Sequence, residues 1–179
     1  MSGSILKLFA CIAMLLDHIA AFLPGSFLDM NESLFMLGDK EITLRLMFHY
    51  IGRTAFPIFA FLITEGYVHT HDRKKYGISL LMFALISEIP WNLARSGDIF
   101  FGRQNVFFTL FLGYVGICIL ECYREDIKKC STYLAALFLI SIALRADYGC
   151  FGFGFIMLLY LLKERKVLMS IIGACVLPS

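Results

Sequence analysis

An aspartate and a histidine stand side by side within an apolar run, Met14-Leu15-Leu16-Asp17-His18-Ile19-Ala20. An ionised side chain in a hydrocarbon layer costs roughly 2.5–3.5 kcal/mol on insertion scales, so it persists where it is paired, hydrated in a cavity or used. The pair supplies a carboxylate that can anchor a cation and an imidazole, the side chain best suited to proton transfer near neutral pH. Successive residues of a helix point about 100° apart, so Asp17 is poorly placed to orient the ring of His18. The expected partner of Asp17 is a cation on another helix, Arg53 above all. The expected orienting group for His18 is Glu88 or Asp147. Further polar residues fall in or beside apolar runs: Trp91 and Asn92, Asn105 and Thr109, and Arg145, Asp147 and Tyr148. Together these residues could line a cavity for acid–base chemistry, and some of them could equally be ion pairs that lock helices together.

The elements that must position them are membrane helices. Apolar residues make up 59% of the 179-residue chain and charged residues 17%, below the roughly 25% usual for soluble domains. The mean hydropathy is +0.77. Spanning a bilayer takes about 20 apolar residues in a helix. The runs Ile5–Leu23, Leu44–Val68, Tyr76–Ala94, Val106–Cys122, Thr132–Arg145 and Gly149–Leu162 read as six spans, and Val167–Leu177 as a partial seventh. The fold class expected is therefore an all-α, polytopic transmembrane helix bundle, one domain over residues 1–179. The first span reads as retained, with no cleavage site after it. Pro57 and Pro90 should kink the second and third spans beside Arg53 and Glu88.

Loop charges give an orientation. Arg73-Lys74-Lys75, Arg124 with Lys128-Lys129, and Lys163 with Arg165-Lys166 lie in alternate loops, on the same side as Lys7, whereas the first loop is acidic through Asp29, Glu32, Asp39 and Glu41. The positive-inside rule then puts the N-terminus in the cytoplasm. Threaded this way, Asp17, His18, Arg53, Glu88, Trp91, Asn92, Asn105, Asp147 and Tyr148 converge on the extracytoplasmic half, and the inner half holds mainly Glu65.

Other signals are weaker. The six cysteines form no CxxC pair and read as small apolar residues. His69-Thr70-His71 lacks a second ligand pair, so no metal is expected. Arg73-Lys74-Lys75 is a topology signal that could also meet phosphates of a cytosolic ligand or anionic lipid. No nucleic-acid partner is expected.

Several segments resemble the TraX family of membrane proteins: Met14 to Ile19, Ile51 to Phe61 with the run Gly52-Arg53-Thr54-Ala55-Phe56-Pro57, Glu65-Gly66-Tyr67 with His69-Thr70, Tyr76, Phe83 to Pro90, Asn105 to Leu110, and Asp147-Tyr148-Gly149. Ser79 departs from the family pattern, where an arginine is expected after Tyr76, and the chain ends earlier than is typical. The resemblance implies a bacterial inner-membrane acetyltransferase, the best-known member of which acetylates the terminal amine of pilin subunits. It implies acetyl-CoA as acyl donor, with its phosphates near Arg73, Lys74, Lys75 and Tyr76. A peptide or small-molecule acceptor would lie near Trp91, Asn92, Asp147 and Tyr148. His18 would be the general base, Arg53 or Asn105 would stabilise the oxyanion, and Asp17 and Glu88 would hold the arginine and the ring. The rival readings are a small proton-coupled carrier and a non-catalytic membrane scaffold. A carrier should show polar groups on both sides of the midplane and, often, repeat symmetry, and no repeat is visible.

Overall fold

The computed structural model describes residues 3–22, 31–37, 40–98 and 102–163. In chain order the elements are α1 (Gly3–Phe22), β1 (Ser33–Leu37), β2 (Lys40–Thr43), α2 (Leu44–Arg53), α3 (Ala55–His69), α4 (Arg73–Ser96), α5 (Val106–Cys122), α6 (Ile127–Ala143) and α7 (Gly149–Leu161). The expected partial span Val167–Leu177 lies outside the described residues. The protein is an α-helical membrane protein. Gly3–Phe22, Leu44–His69 and Arg73–Ser96 are each long and apolar enough to cross a bilayer, whereas α5 and α7 are shorter apolar helices. With 13 residues, α7 is about 20 Å long.

The burial pattern is that of a bilayer protein. On α1, Ala10, Ala13 and Ala20 are buried while Ile5, Leu8, Phe9, Ile12 and Leu15 face outward. On α4, Gly77, Ala84 and Asn92 are buried while Ile78, Phe83, Leu85, Ile86 and Ile89 are exposed. Lipid gives no hydrophobic reason to turn large apolar side chains inward, so small residues take the helix contacts and let backbones approach.

Helix ends depart from the sequence expectation where capping and proline chemistry decide them. The second apolar run is two helices, broken at Thr54. Pro57 has no N–H for the Arg53 carbonyl and its ring crowds that carbonyl, so the chain turns there and restarts. The Thr54 hydroxyl and amide both donate to the Ile51 carbonyl, at 2.6 and 3.1 Å. Helix α4 begins at Arg73, not Tyr76, because the Asp72 carboxylate accepts the Lys75 N–H at 2.9 Å. Likewise α6 begins at Ile127, not Thr132, because Asp126 accepts the Lys129 N–H at 3.1 Å. Arg73, Lys74, Lys75, Lys128 and Lys129, read as loop signals, are thus first-turn residues of these helices. Pro90 is accommodated inside α4, which continues to Ser96. The first loop, read from sequence only as acidic, carries the antiparallel hairpin β1–β2, with Phe35 opposite Ile42 and Met36 opposite Glu41.

The described residues fall into two compact units that divide between Leu62 and Ile63. In the first, α1 packs on α2, which follows β2 through the Thr43 cap. In the second, α5 is central and packs against α4, α6 and α7. Gly113 and Gly116 make the α5–α7 contact: a Cβ at Gly113 would lie 2.5 Å from Ile156 Cδ1, and one at Gly116 2.9 Å from Met157 Sδ.

Candidate functional site

In the first unit the site is built on the α1–α2 contact. Asp17 turns toward α2, where its Oδ1 accepts a hydrogen bond from His49 Nδ1 at 2.7 Å. The approach depends on Gly52, since a Cβ there would overlap Asp17 Cβ. With Nδ1–H donated to the carboxylate, Nε2 is the basic atom of a neutral His49 ring. The pair is partly exposed: side-chain exposure is 51% for His49 and 30% for Asp17. His18 points elsewhere. Its Nδ1 donates to the Met14 carbonyl one turn back at 2.6 Å, and its ring tilts against Phe22. That bond selects the same tautomer, leaving Nε2 as the basic atom. Arg53 closes α2 one turn after His49 and shares its face.

In the second unit, polar residues gather where α4 ends and α5 and α7 begin. The Glu88 carboxylate accepts both the Asn105 backbone N–H at 3.1 Å and its side-chain amide at 2.7 Å. The other amide proton of Asn105 goes to the Ala84 carbonyl at 2.8 Å, and its Oδ1 caps α5 by accepting the Phe107 N–H at 2.9 Å. Asn105 is 3% exposed and neither amide proton is left to meet an oxyanion. Asn92 is buried on α4, and its carbonyl accepts the Ser96 hydroxyl. The Arg95 guanidinium lies over the Trp91 ring at 5.4 Å. The α6–α7 turn is pinned to the segment before α5: the Asp147 N–H donates to the Gln104 carbonyl at 3.0 Å, and the Thr109 hydroxyl donates to the Asp147 carbonyl. Arg103, Arg145, Ala146, Asp147 and Tyr148 line a cleft of about 390 Å³ there.

The opposite end of this unit holds an aromatic and charged cluster. Arg73 donates to the Tyr67 hydroxyl at 2.9 Å, and its guanidinium lies over the Tyr67 ring at 4.4 Å. The Arg73 carbonyl accepts the Tyr114 hydroxyl at 2.7 Å. Tyr114 meets both Tyr67 and Tyr76 edge-on. The Tyr160 hydroxyl donates to Glu121 at 2.7 Å and accepts from Lys163 at 2.8 Å. Lys74 and Lys75 stay exposed on the first turn of α4.

A family model described as TraX protein matches residues 2–178. The chain belongs to the TraX family. It is 30% identical over 171 residues to the probable fimbrial assembly protein FimC, serogroup H1, of Dichelobacter nodosus, an alignment covering 90% of this chain and 63% of that relative. No solved structure matches the chain.

In this TraX protein the sequence-predicted residues divide between the two units. Asp17, His18 and Arg53 belong to the first. Glu88, Trp91, Asn92, Asn105, Asp147 and Tyr148 lie at one end of the second, and Arg73, Lys74, Lys75 and Tyr76 at its other end. The hydrogen bond of Asp17 goes to His49, where Arg53 was expected, and His18 Nδ1 donates to the Met14 carbonyl. Arg73 is exposed but engages Tyr67, and Tyr76 meets Tyr114, so the cations of the basic triplet outside the tyrosine cluster are Lys74 and Lys75. His69 pairs with Glu65 one turn back at 3.3 Å, and no group of three metal-ligating side chains occurs among the described residues. Sequence reasoning missed His49. Its position one turn before Arg53 and three residues before Gly52 was the available signal.

Proposed function

We propose that this TraX protein is a membrane acetyltransferase that moves an acetyl group from acetyl-CoA to an amine or hydroxyl acceptor at the bacterial cytoplasmic membrane. The observation that carries the reading is the Asp17–His49 hydrogen bond of 2.7 Å, beside His18 and one turn before Arg53. It joins α1, which also carries His18, to α2, where Arg53 follows His49 by one turn, and each imidazole has its tautomer set. Acyl transfer from a thioester needs little more than a base, an oxyanion donor and positioning. The acceptor nitrogen or oxygen bonds to the thioester carbonyl carbon, its proton passes to an imidazole, and the C–S bond breaks to release the CoA thiol. In this reading His18 is the base, Arg53 meets the oxyanion, and Glu88–Asn105 positions the start of α5 without touching substrate. The 2.7 Å bond favours a second assignment, with His49 as base and Asp17 as its orienting carboxylate. The exposed Lys74 and Lys75 are the groups suited to the CoA phosphates. The fimbrial assembly relative and the family resemblance favour a pilus-subunit N-terminus as acceptor.

The test is thiol release from acetyl-CoA by purified protein in detergent with amine-terminated peptides, comparing wild type with His18→Ala and His49→Ala. A positioned general base contributes about 10²–10⁴ in rate. Loss on that scale in one folded variant identifies the base. Equal turnover in all three removes both imidazoles as the base, whereas no release with wild type and no CoA binding removes the acyltransferase reading and leaves a carrier or scaffold.

A further inference from the structure

We propose that the cleft at the α6–α7 turn is a phosphate-binding site, an inference that does not rest on the acyl-transfer reading. Its about 390 Å³ suits a phosphate-bearing headgroup or small phosphate ester. Two guanidiniums line it, Arg103 from the segment before α5 and Arg145 from the end of α6. Among the described residues, neither side chain has a hydrogen-bond, ion-pair or ring partner within the protein. The Asp147 carboxylate and the Tyr148 side chain line the same cleft, so two positive charges against one negative leave it net cationic.

The backbone brings these groups together. The Asp147 N–H to Gln104 carbonyl bond joins the segment carrying Arg103 to the turn carrying Arg145, and the Thr109 hydroxyl clasps the Asp147 carbonyl. Arg145 and Tyr148 both hold left-handed backbone conformations, at φ 49° and 62°, which non-glycine residues adopt only where the surroundings impose them. Helix α7 starts immediately afterwards at Gly149, and Tyr148 provides no side-chain cap, so the helix's positive end adds to the two arginines. Paired guanidiniums with fixed forks match the several oxygens of a phosphate. In a membrane protein that phosphate comes either from a lipid headgroup or from a soluble phosphate ester.

The experiment uses the full chain, delipidated in detergent. Glycerol phosphate binding is measured by calorimetry, and retention of phosphatidylglycerol against phosphatidylethanolamine by native mass spectrometry. The variants are Arg103→Gln and the double variant Arg103→Gln with Arg145→Asn, asparagine being chosen because it tolerates the left-handed backbone. Lys128→Gln with Lys129→Gln, on the first turn of α6, is the charge-matched control. Saturable binding of glycerol phosphate, weakened about tenfold or more by Arg103→Gln and further by the double variant, supports the site and a soluble source. Retention of phosphatidylglycerol alone, with the same loss in the variants, supports it as a headgroup site. No saturable binding of either probe, or equal weakening by the lysine control, overturns it. Arg103→Gln lies in an exposed segment and keeps the test open if the double variant does not fold.

Discussion

Asp17 Oδ1 on α1 and His49 Nδ1 on α2 lie 2.7 Å apart, across a helix contact that Gly52 leaves open. The carboxylate that makes α1 unusual for a membrane helix is thus answered by an imidazole, and the two helices are joined by a polar bond set among alanines and a glycine. Such a bond can orient a base, and it also specifies how the helices face one another.

Gly52→Ala separates packing from chemistry at this contact. The new methyl group would overlap Asp17 Cβ, so either α2 shifts or the Asp17–His49 bond opens. Overpacking of this kind costs about 1–3 kcal/mol. Thermal unfolding in detergent should fall accordingly, and a cysteine pair placed across α1 and α2 should cross-link more slowly. An unchanged melting point would mean that the helices are not in this close approach.

Glu88 distinguishes a positioning role from a catalytic one. Removing its carboxylate leaves the Asn105 amide hydrogens without an acceptor in a buried setting, at about 1–3 kcal/mol. Glu88→Ala should therefore be markedly less stable, and Glu88→Gln, which keeps an acceptor oxygen, should recover most of the loss. If Glu88 only positions α5, Glu88→Gln also retains thiol release. Full stability with abolished turnover in Glu88→Gln would give its charge a direct part in the reaction.

What was legible beforehand follows from which physics the sequence exposes. Helix existence was readable because Leu, Ile and Phe runs of membrane length have few other fates. Helix starts were misread at Arg73 and Ile127 because charge was given priority over the caps Asp72 and Asp126, one residue upstream of each helix. The β1–β2 hairpin was missed although Gly38-Asp39 between two short runs is a hairpin signal. At the site, Asp17 and His18 stood out by their cost in an apolar run, but partners depend on helix rotation, which no one-dimensional pattern encodes. His49 lies midway along α2, a short helix of mixed polarity in which one more polar residue does not stand out. The sequence shows Arg73 only as part of a basic triplet, because a cation–aromatic contact with Tyr67 leaves no local trace beyond the two residue types.

The basic triplet should split by function. The Arg73 guanidinium donates to the Tyr67 hydroxyl and lies over its ring, so Arg73→Gln should lower thermal stability whether or not ligand is present. Lys74→Gln with Lys75→Gln removes two exposed charges that bond to nothing in the cluster. If they meet the CoA phosphates, this double variant keeps its melting point and raises the KM for acetyl-CoA by roughly tenfold or more, with kcat unchanged. A stability loss without a KM change would make all three residues structural.

The start of α6 carries a pH dependence whose sign is set by Asp126. Its carboxylate accepts the Lys129 N–H at 3.1 Å and pairs with Lys129 Nζ at 3.0 Å. The Lys129 backbone N–H is the main cause that holds its pKa below the usual aspartate value, with the Lys129 ammonium next. A carboxyl whose folded pKa is depressed stabilises the fold above its unfolded pKa of about 3.9, and that contribution is lost as pH falls through the folded value. The first turn of α6 should therefore be protected at neutral pH and fray in acid. Amide hydrogen exchange at Lys129 and Cys130, corrected for intrinsic rates, should accelerate below about pH 4 in the wild type. In Asp126→Ala it should already be fast at neutral pH, with no further acid dependence. Equal protection in both proteins at pH 7 would show that the helix start is set by packing and not by this cap.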